Sequence, residues 1–340
     1  MQPRMNKMEK TKKLLVGNPN QLEVDGQIGE DGLVYVVMNL PFGCNYSCSK
    51  CYRDNDKSFD SIDLDTRLAV ISQAKDLGAR VLCIPGEGEP LTNRDLTMRL
   101  INHANAIGLI SVLYTNSSFL NQDTIDELFN KEVILITSLD SLNPETYLKL
   151  TGFKGFDRVM RNLENVRETY KAGNRTRENG LIETRWGVIT IINQHNKGEI
   201  PAINEFCKDD AFFICNYPIN KGGARSVWNS YVGTSEDLKE LVKTANLYTD
   251  TLVAGLSAPT RSGQCIMLNN GITIDTNGNS HACPAMVDTN LGNIRDTSVG
   301  DIWKRTKEYT QSKGNPLCIA RDIKQYCKKA NILNVGEMLV

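Results

Sequence analysis

Six strand-like apolar runs alternate with helix-like runs between residue 33 and about residue 217, and this alternation narrows the possible folds more than any other feature. The first run, Leu33 to Leu40 (LVYVVMNL), is apolar and β-rich throughout, as a strand covered on both faces must be. Further strands are read at Arg80 to Ile84, 110 to 114, Val133 to Ser138, Thr184 to Ile192 and Ala211 to Cys215. Helices are read at 62 to 77, about 93 to 107, 121 to 130, 156 to 171 and 198 to 207. In the first of these, Leu64, Leu68, Ile71 and Ala74 share one face and Gly78 stands where a helix stop belongs. Regular alternation predicts parallel strands with helices outside. Six units fall short of the eight that close a barrel, so the expected fold class is α/β, a partial (β/α)6 TIM-like barrel.

Residues suited to chemistry fall directly after these strands. Cys44, Cys48 and Cys51 follow the first, Pro85-Gly86-Glu87-Gly88-Glu89-Pro90 the second, Thr115-Asn116 the third, and Ser138-Leu139-Asp140 ends the fourth. That edge is the ligand face of parallel α/β folds, so these groups are expected to converge on one mouth. Taken singly, Ser138 or Asp140 is more often a cap or turn former, and a Gly-rich turn is often only a tight loop. Three thiolates on one short loop can hold three corners of an iron–sulfur cube and leave the fourth iron open to a substrate or cofactor. A zinc site or three buried thiols are the competing readings. Zinc normally draws a fourth protein ligand from nearby, and no further Cys or His lies within thirty residues of this loop.

Lys plus Arg number 39 against 40 Asp plus Glu, a net charge of -1, which argues against nucleic acid as the main partner. The basic cluster Arg4, Lys7, Lys10, Lys12 and Lys13 reads as a solvated N-terminal arm. No secretory h-region and no membrane-length apolar stretch is visible, so a cytoplasmic location without a membrane partner is expected. In that compartment ten cysteines point to metal or redox chemistry rather than disulfides.

Beyond residue 217 the pattern changes. Lys221 to Thr234 is rich in Gly, Ser and Asn around Trp228 and Tyr231 and reads as a linker or substrate-facing loop; a helix at about 235 to 249 follows. Gly271 to Asp275, the turn Thr276-Asn277-Gly278 and Asn279 to Cys283 read as a β-hairpin that brings Cys265 near Cys283. Cys318 and Cys327 follow a helix that starts near Val299. The expected organisation is an arm at 1–32, the partial barrel at 33–217, a linker and helix at 218–260, and a small C-terminal domain containing the hairpin at 261–340. Structural zinc is the competing reading for its four cysteines.

The Cys44, Cys48, Cys51 motif after the first strand resembles the signature of the radical S-adenosylmethionine (SAM) superfamily. Gly88-Glu89-Pro90 is similar to that family's Gly-Gly-Glu-Pro motif, Thr115-Asn116 to its Thr-Asn-Gly, Ser138-Leu139-Asp140 to its Ser-x-Asp, and Ile191 to Asn196 to its fifth-strand ending. The C-terminal cysteines, with Gly278 before Cys283, resemble the auxiliary-cluster extension called SPASM or, when shorter, Twitch. Two departures stand out. Lys50 replaces the aromatic residue that usually precedes the third cysteine and packs near the adenine, a task that Tyr52 would take over. Eight residues separate Cys318 from Cys327 where the family closes with tighter spacing, which suits a Twitch-like domain with one extra cluster.

The resemblance implies a [4Fe-4S] cluster on Cys44, Cys48 and Cys51, SAM bound to its open iron, and a second, auxiliary [4Fe-4S] cluster on Cys265, Cys283, Cys318 and Cys327. It implies that Glu89, next to Gly88, accepts from the methionyl ammonium, that Ser138, Asp140 and Asn116 line the cofactor, and that Arg185 pairs with its carboxylate. An arginine inside a strand also suits a barrel-edge ion pair. The implied chemistry is reductive cleavage of SAM to a 5′-deoxyadenosyl radical that abstracts hydrogen from substrate, with electrons from an external reductant such as flavodoxin or ferredoxin. Oxidation, epimerisation or elimination could follow, and Cys215 at the end of the sixth strand is the candidate hydrogen donor. Only about 32 residues precede the first strand, which favours a small polar metabolite such as a sugar, aminocyclitol or nucleoside over maturation of a ribosomally made peptide. A non-catalytic iron–sulfur or zinc protein is the reading from another class, separated from these by whether the loaded chain cleaves SAM.

Overall fold

The computed structural model describes residues 13–18, 21–22, 25–26, 32–41, 43–53, 61–85, 87–216, 218–250, 266–284 and 289–312. In chain order its elements begin with β1 (Lys13–Leu15), β2 (Tyr35–Met38), α1 (Leu64–Asp76), β3 (Val81–Ile84), α2 (Arg94–Ala106), β4 (Ile110–Thr115), α3 (Gln122–Asn130), β5 (Ile134–Ser138), α4 (Pro144–Thr151) and α5 (Phe156–Lys171). They continue with β6 (Arg175–Thr176), β7 (Ile182–Thr184), β8 (Trp186–Ile191), α6 (Ile200–Cys207), β9 (Phe212–Asn216), α7 (Ala224–Val232), α8 (Ser235–Tyr248), α9 (Ile266–Asn270), β10 (Gly271–Ile274), β11 (Ser280–His281) and α10 (Val299–Ser312).

Helix starts follow the local chemistry. Asp63, Asn93, Asn121 and Asn143 each accept a backbone N–H of the first turn of α1, α2, α3 and α4, and Pro144 at the start of α4 needs no such partner. The strands β2, β3, β4, β5, β8 and β9 are parallel neighbours in that order, which is the expected six-unit partial barrel. The C-terminal hairpin is present as β10 and β11, and β10 joins β2 in parallel from Gly271 opposite Tyr35 to Ile274 opposite Met38. The barrel sheet therefore runs to eight strands in the order β11-β10-β2-β3-β4-β5-β8-β9.

Strand residues alternate between two cores. Val36, Leu82, Leu113, Leu135, Val188 and Phe213 face the helices, whereas Tyr35, Val81, Val112, Ile134, Ile136, Phe212 and Ile214 face the barrel interior. Leu15 and Leu22 pack into that interior cluster and plug its amino end.

Three expectations need correcting. Lys13 is not part of a solvated arm: it is 4% exposed, and its ammonium donates to the carbonyls of Cys207 (2.9 Å) and Ala211 (2.7 Å) beside Asp250. β1 pairs in parallel with β7, so Lys13 to Leu15 form part of a sheet. The stretch from Lys221 to Thr234 is mostly the helix α7, anchored by buried Ala224, Tyr231 and Val232. The strand read at Thr184 to Ile192 breaks at Arg185 into β7 and β8, and α4 was not foreseen.

Candidate active site

The cysteine loop leaves β2 and is gripped from three sides. On one side Glu89 N–H donates to the Gly43 carbonyl at 2.7 Å, and a Cβ on Gly88 would lie 2.2 Å from that same oxygen. Only glycine lets the two backbones meet there. On the second side Ser47 N–H donates to Thr151 O at 3.0 Å, and the Tyr46 ring stacks on Phe153 at 4.4 Å. The Tyr46 hydroxyl also meets the Tyr147 hydroxyl at 2.7 Å and donates to Asn116 O at 3.1 Å. On the third side α7 docks: Ala224 N–H donates to Cys51 O (3.0 Å), Gly223 N–H to Arg53 O (3.2 Å), and the Tyr231 hydroxyl bonds Ser49 Oγ. Gly222, at φ +54°, makes this approach possible, because a Cβ would stand 2.2 Å from Arg53 O.

The three thiols on this loop are free and lie within electrostatic reach of one another. Burial pushes the Cys48 thiol up to about 12, with the Lys50 cation working the other way. A thiol raised by burial ionises when a metal draws its proton off, so these residues fit a thiolate-ligated group. Among the described residues no three Cys, His, Asp or Glu side chains converge on a single ion. One loop carrying three separated thiols matches a multi-iron cube better than a lone zinc, whose four ligands must close on one point.

Around the loop stand the rim residues. Glu89 is 3% exposed; its carboxylate accepts from Thr115 Oγ1 (2.7 Å), Leu91 N (3.1 Å) and Asn116 N (2.6 Å). Burial nonetheless pushes its carboxyl up to about 7, against those three donors. Asn116 Nδ2 donates to Asn45 Oδ1 at 3.0 Å, which brings the end of β4 against the cysteine loop. Ser138 ends β5 half-buried, on the interior side by alternation from Ile134 and Ile136. Asp140, 3% exposed, pairs with Lys50 and accepts Ile191 N–H at Oδ1 (2.9 Å). Asn193 and Asn196 are fully buried, and Asn196 Nδ2 donates to Asp140 O at 2.8 Å, so the ending of β8 fixes that of β5.

Two expected site residues are elsewhere. Arg185 lies at the amino end of β8, at the opposite edge from the thiols; it donates to Phe129 O at 3.0 Å and stacks over the Phe129 ring at 4.3 Å. Ile189, the residue level with Ser138, is four positions on, or roughly 13 Å of strand away, so Arg185 does not reach the mouth. Cys215 joins the core between sheet and helices, bracketed by Thr249 through 2.9 Å bonds at its N–H and C=O, and does not face the mouth. Cys83 belongs to the interior cluster instead, half-buried beside Tyr35 and Tyr114. Tyr52 lies near Cys51, Arg53, Cys283 and Glu87, on the side of the hairpin, which places Cys283 close to the cysteine loop. Cys265, Cys318 and Cys327 lie outside the described residues. Sequence reading missed the grips by Tyr46, Tyr231 and Ser49 and the partner of Lys50; of these only the Lys50 departure gave a signal.

A partial barrel whose carboxyl mouth carries a three-thiol loop defines a class of iron–sulfur enzyme. The chain belongs to the radical SAM superfamily, whose family model matches residues 38–207, half of its length. A second model, the SPASM iron–sulfur cluster-binding domain, matches residues 265–329, a span that starts at Cys265 and includes Cys283, Cys318 and Cys327. The chain is thus an enzyme of a family that binds a [4Fe-4S] cluster and SAM, with a further cluster-binding domain. A probable GTP 3',8-cyclase of Saccharolobus islandicus (strain M.14.25 / Kamchatka #1) is 26% identical over 165 residues, covering 48% of this chain and 49% of the relative. Another, from Metallosphaera sedula, is 25% identical over 215 residues, covering 61% and 63%. The chain spans about half the length of the first of these. Among solved structures, Streptococcus suis SuiB bound to precursor peptide SuiA gives a TM-score of 0.62 at 17% identity, over 83% of this chain and 66% of that one. Native anSMEcpe with bound AdoMet and Cp18Cys peptide gives 0.64 at 14% identity, over 90% and 87%. These two share the fold. Among the described residues no helix is long and apolar enough to cross a membrane.

Proposed function

We propose that this enzyme abstracts hydrogen from a small polar metabolite of sugar, aminocyclitol or nucleoside type held in the barrel interior. The observation that carries the reading is a rise in exposure along the interior face of the barrel above a packed amino end. Val81, Val112 and Ile136 are buried, whereas the next interior residue of each strand toward the carboxyl end, Cys83, Tyr114 and Ser138 respectively, is partly exposed, as is Ile189 level with Ser138. Below them Leu15 and Leu22 block the amino end, and Tyr35 Oη ties to Gly17 O at 3.0 Å. A closed amino end beneath interior thiol, phenol and hydroxyl groups suits a compact, hydrogen-bonding substrate.

Cys44, Cys48 and Cys51 would hold the cluster, with Glu89, Asn116 and Ser138 around SAM; when bound, the pair supplies a 5′-deoxyadenosyl radical. The chain's own part is to exclude water and to orient. Glu89 would accept the methionyl ammonium while its three donors keep it fixed. Flavodoxin or ferredoxin would deliver the electron, and Cys265, Cys283, Cys318 and Cys327 would ligate the auxiliary cluster. A second reading is peptide maturation, favoured by the fold shared with SuiB and anSMEcpe, whose structures hold peptides. The test is anaerobic reconstitution with dithionite, SAM and deuterated candidates of both kinds, following label into 5′-deoxyadenosine. Label from the metabolites supports the first reading; label from peptides alone moves the assignment to the second. No SAM cleavage by a loaded chain defeats both.

A further inference from the structure

Lys50 is the loop residue that the proposed function leaves without a task. It sits between Cys48 and Cys51, its side chain is 11% exposed, and its ammonium pairs directly with Oδ2 of Asp140, whose side chain is 4% exposed. The carboxylate cannot follow Lys50 if the loop moves, because Oδ1 holds Ile191 N–H at 2.9 Å and the Asp140 carbonyl holds Asn196 Nδ2 at 2.8 Å. Cys48 lies within electrostatic range of both charges. Tyr231, bonded to Ser49, feels both as well, so the pair lies within the grip that α7 exerts on the loop.

A buried ion pair is a poor stabiliser, since desolvation offsets most of its attraction. Its field is another matter, because in a water-poor site a fixed charge acts strongly on any neighbouring redox group. We propose that Lys50 and Asp140 form a positioning pair that ties the cysteine loop to the end of β5 and sets the reduction potential of the cluster bound there. The inference rests on the reading that this loop holds a cluster. Reduction adds negative charge to a thiolate-ligated cluster, which a nearby cation favours and a nearby anion opposes. The two members of the pair therefore push the potential in opposite directions, and the pair holds it between the extremes.

The test uses the full-length reconstituted protein, with iron and sulfide content measured first and the midpoint potential then read by EPR-monitored titration without SAM. Asp140→Asn keeps an oxygen for Ile191 N–H but leaves Lys50 uncompensated, so the potential should rise. Lys50→Met leaves Asp140 uncompensated, so it should fall. Each shift should amount to at least about a tenfold change in the oxidised-to-reduced ratio at fixed potential, ~59 mV for one electron. Lys50→Arg, which keeps the charge, should stay close to the wild type. Shifts of the same sign, no shift, or loss of cluster from both Lys50→Met and Asp140→Asn with Lys50→Arg still loaded would overturn the proposal, the last by making the pair a brace alone. Failure of the wild-type chain to take up iron would instead sink the cluster reading on which the proposal stands.

Discussion

Glu89 combines a buried carboxyl with three hydrogen-bond donors, and the two effects pull in opposite directions. Burial wins, raising the group from 4.5 to about 7. Between those values the folded chain keeps a proton that the unfolded chain has lost, so folding stability falls as pH rises through this window and levels off above it. The full effect is on the order of 3 kcal/mol. Urea unfolding of the cluster-free protein from pH 4.5 to 8 should show the decline, and Glu89→Gln should flatten it; an unchanged slope in the variant would exclude Glu89 as its source. If Glu89 takes the methionyl ammonium, SAM binding measured by calorimetry should strengthen towards pH 7 in the wild type and lose that dependence in the variant. Residue roles of this kind were only partly legible. Glu89 was found because it follows a strand within a Gly- and Pro-rich turn. The Lys50–Asp140 pair was invisible, because ninety positions of sequence separate partners that only the closing of the sheet from β2 to β5 brings together.

Helices were legible as one-sided apolar stripes and barrel strands as short, continuous apolar runs. Apolar patterning of these two kinds found the six barrel strands and most of the helices between them. It failed for α7, whose start Gly222-Gly223 and polar content read as loop, while its anchors Ala224, Tyr231 and Val232 are too few to show a stripe. It failed also for the direction of Cys215, because β9 is buried on both faces and its alternation carries no polar signal. The docking of α7 on the cysteine loop makes a sharp prediction at this scale. Gly222→Ala places a Cβ 2.2 Å from Arg53 O at a left-handed backbone position, so the helix must back away from Cys51 and Arg53. A loss of about 2 kcal/mol in chemical denaturation is expected, with iron uptake impaired because one of the loop's three grips is released. Ala at Gly198, where a Cβ would meet open space, is the control and should cost little.

The hairpin at 271–281 reads from sequence as part of a separate small domain, yet in the structure it extends the barrel sheet through β10 and β2. Ile272, Ile274, Val299, Ile302 and Trp303 share the core that covers the outer face of the barrel strands, and α10 packs on α1. Polar ties reinforce this junction. Arg67, fully buried on α1, donates to Asn39 O at the end of β2 (2.8 Å), to Ser61 Oγ (3.2 Å) and to Thr276 O in the hairpin turn (3.3 Å). Glu87 accepts Thr276 N–H from the rim at 3.3 Å. Burial pulls Arg67 down to about 10, with Glu87 and Asp275 opposing, so it remains a cation at neutral pH. A hairpin held by a shared ladder, a shared core and a buried guanidinium cannot open without exposing the edge of β2 and stranding carbonyls. Hydrogen exchange should therefore report one opening free energy for peptides covering β10 and for those covering β3, with Arg67→Met lowering both together by about 3 kcal/mol. Separate opening of β10 at much lower free energy, with β3 still protected, would mean that the hairpin and barrel are independent units. Such independence would also remove the means by which this fold keeps Cys283 near the cysteine loop, since that proximity depends on the β2–β10 junction.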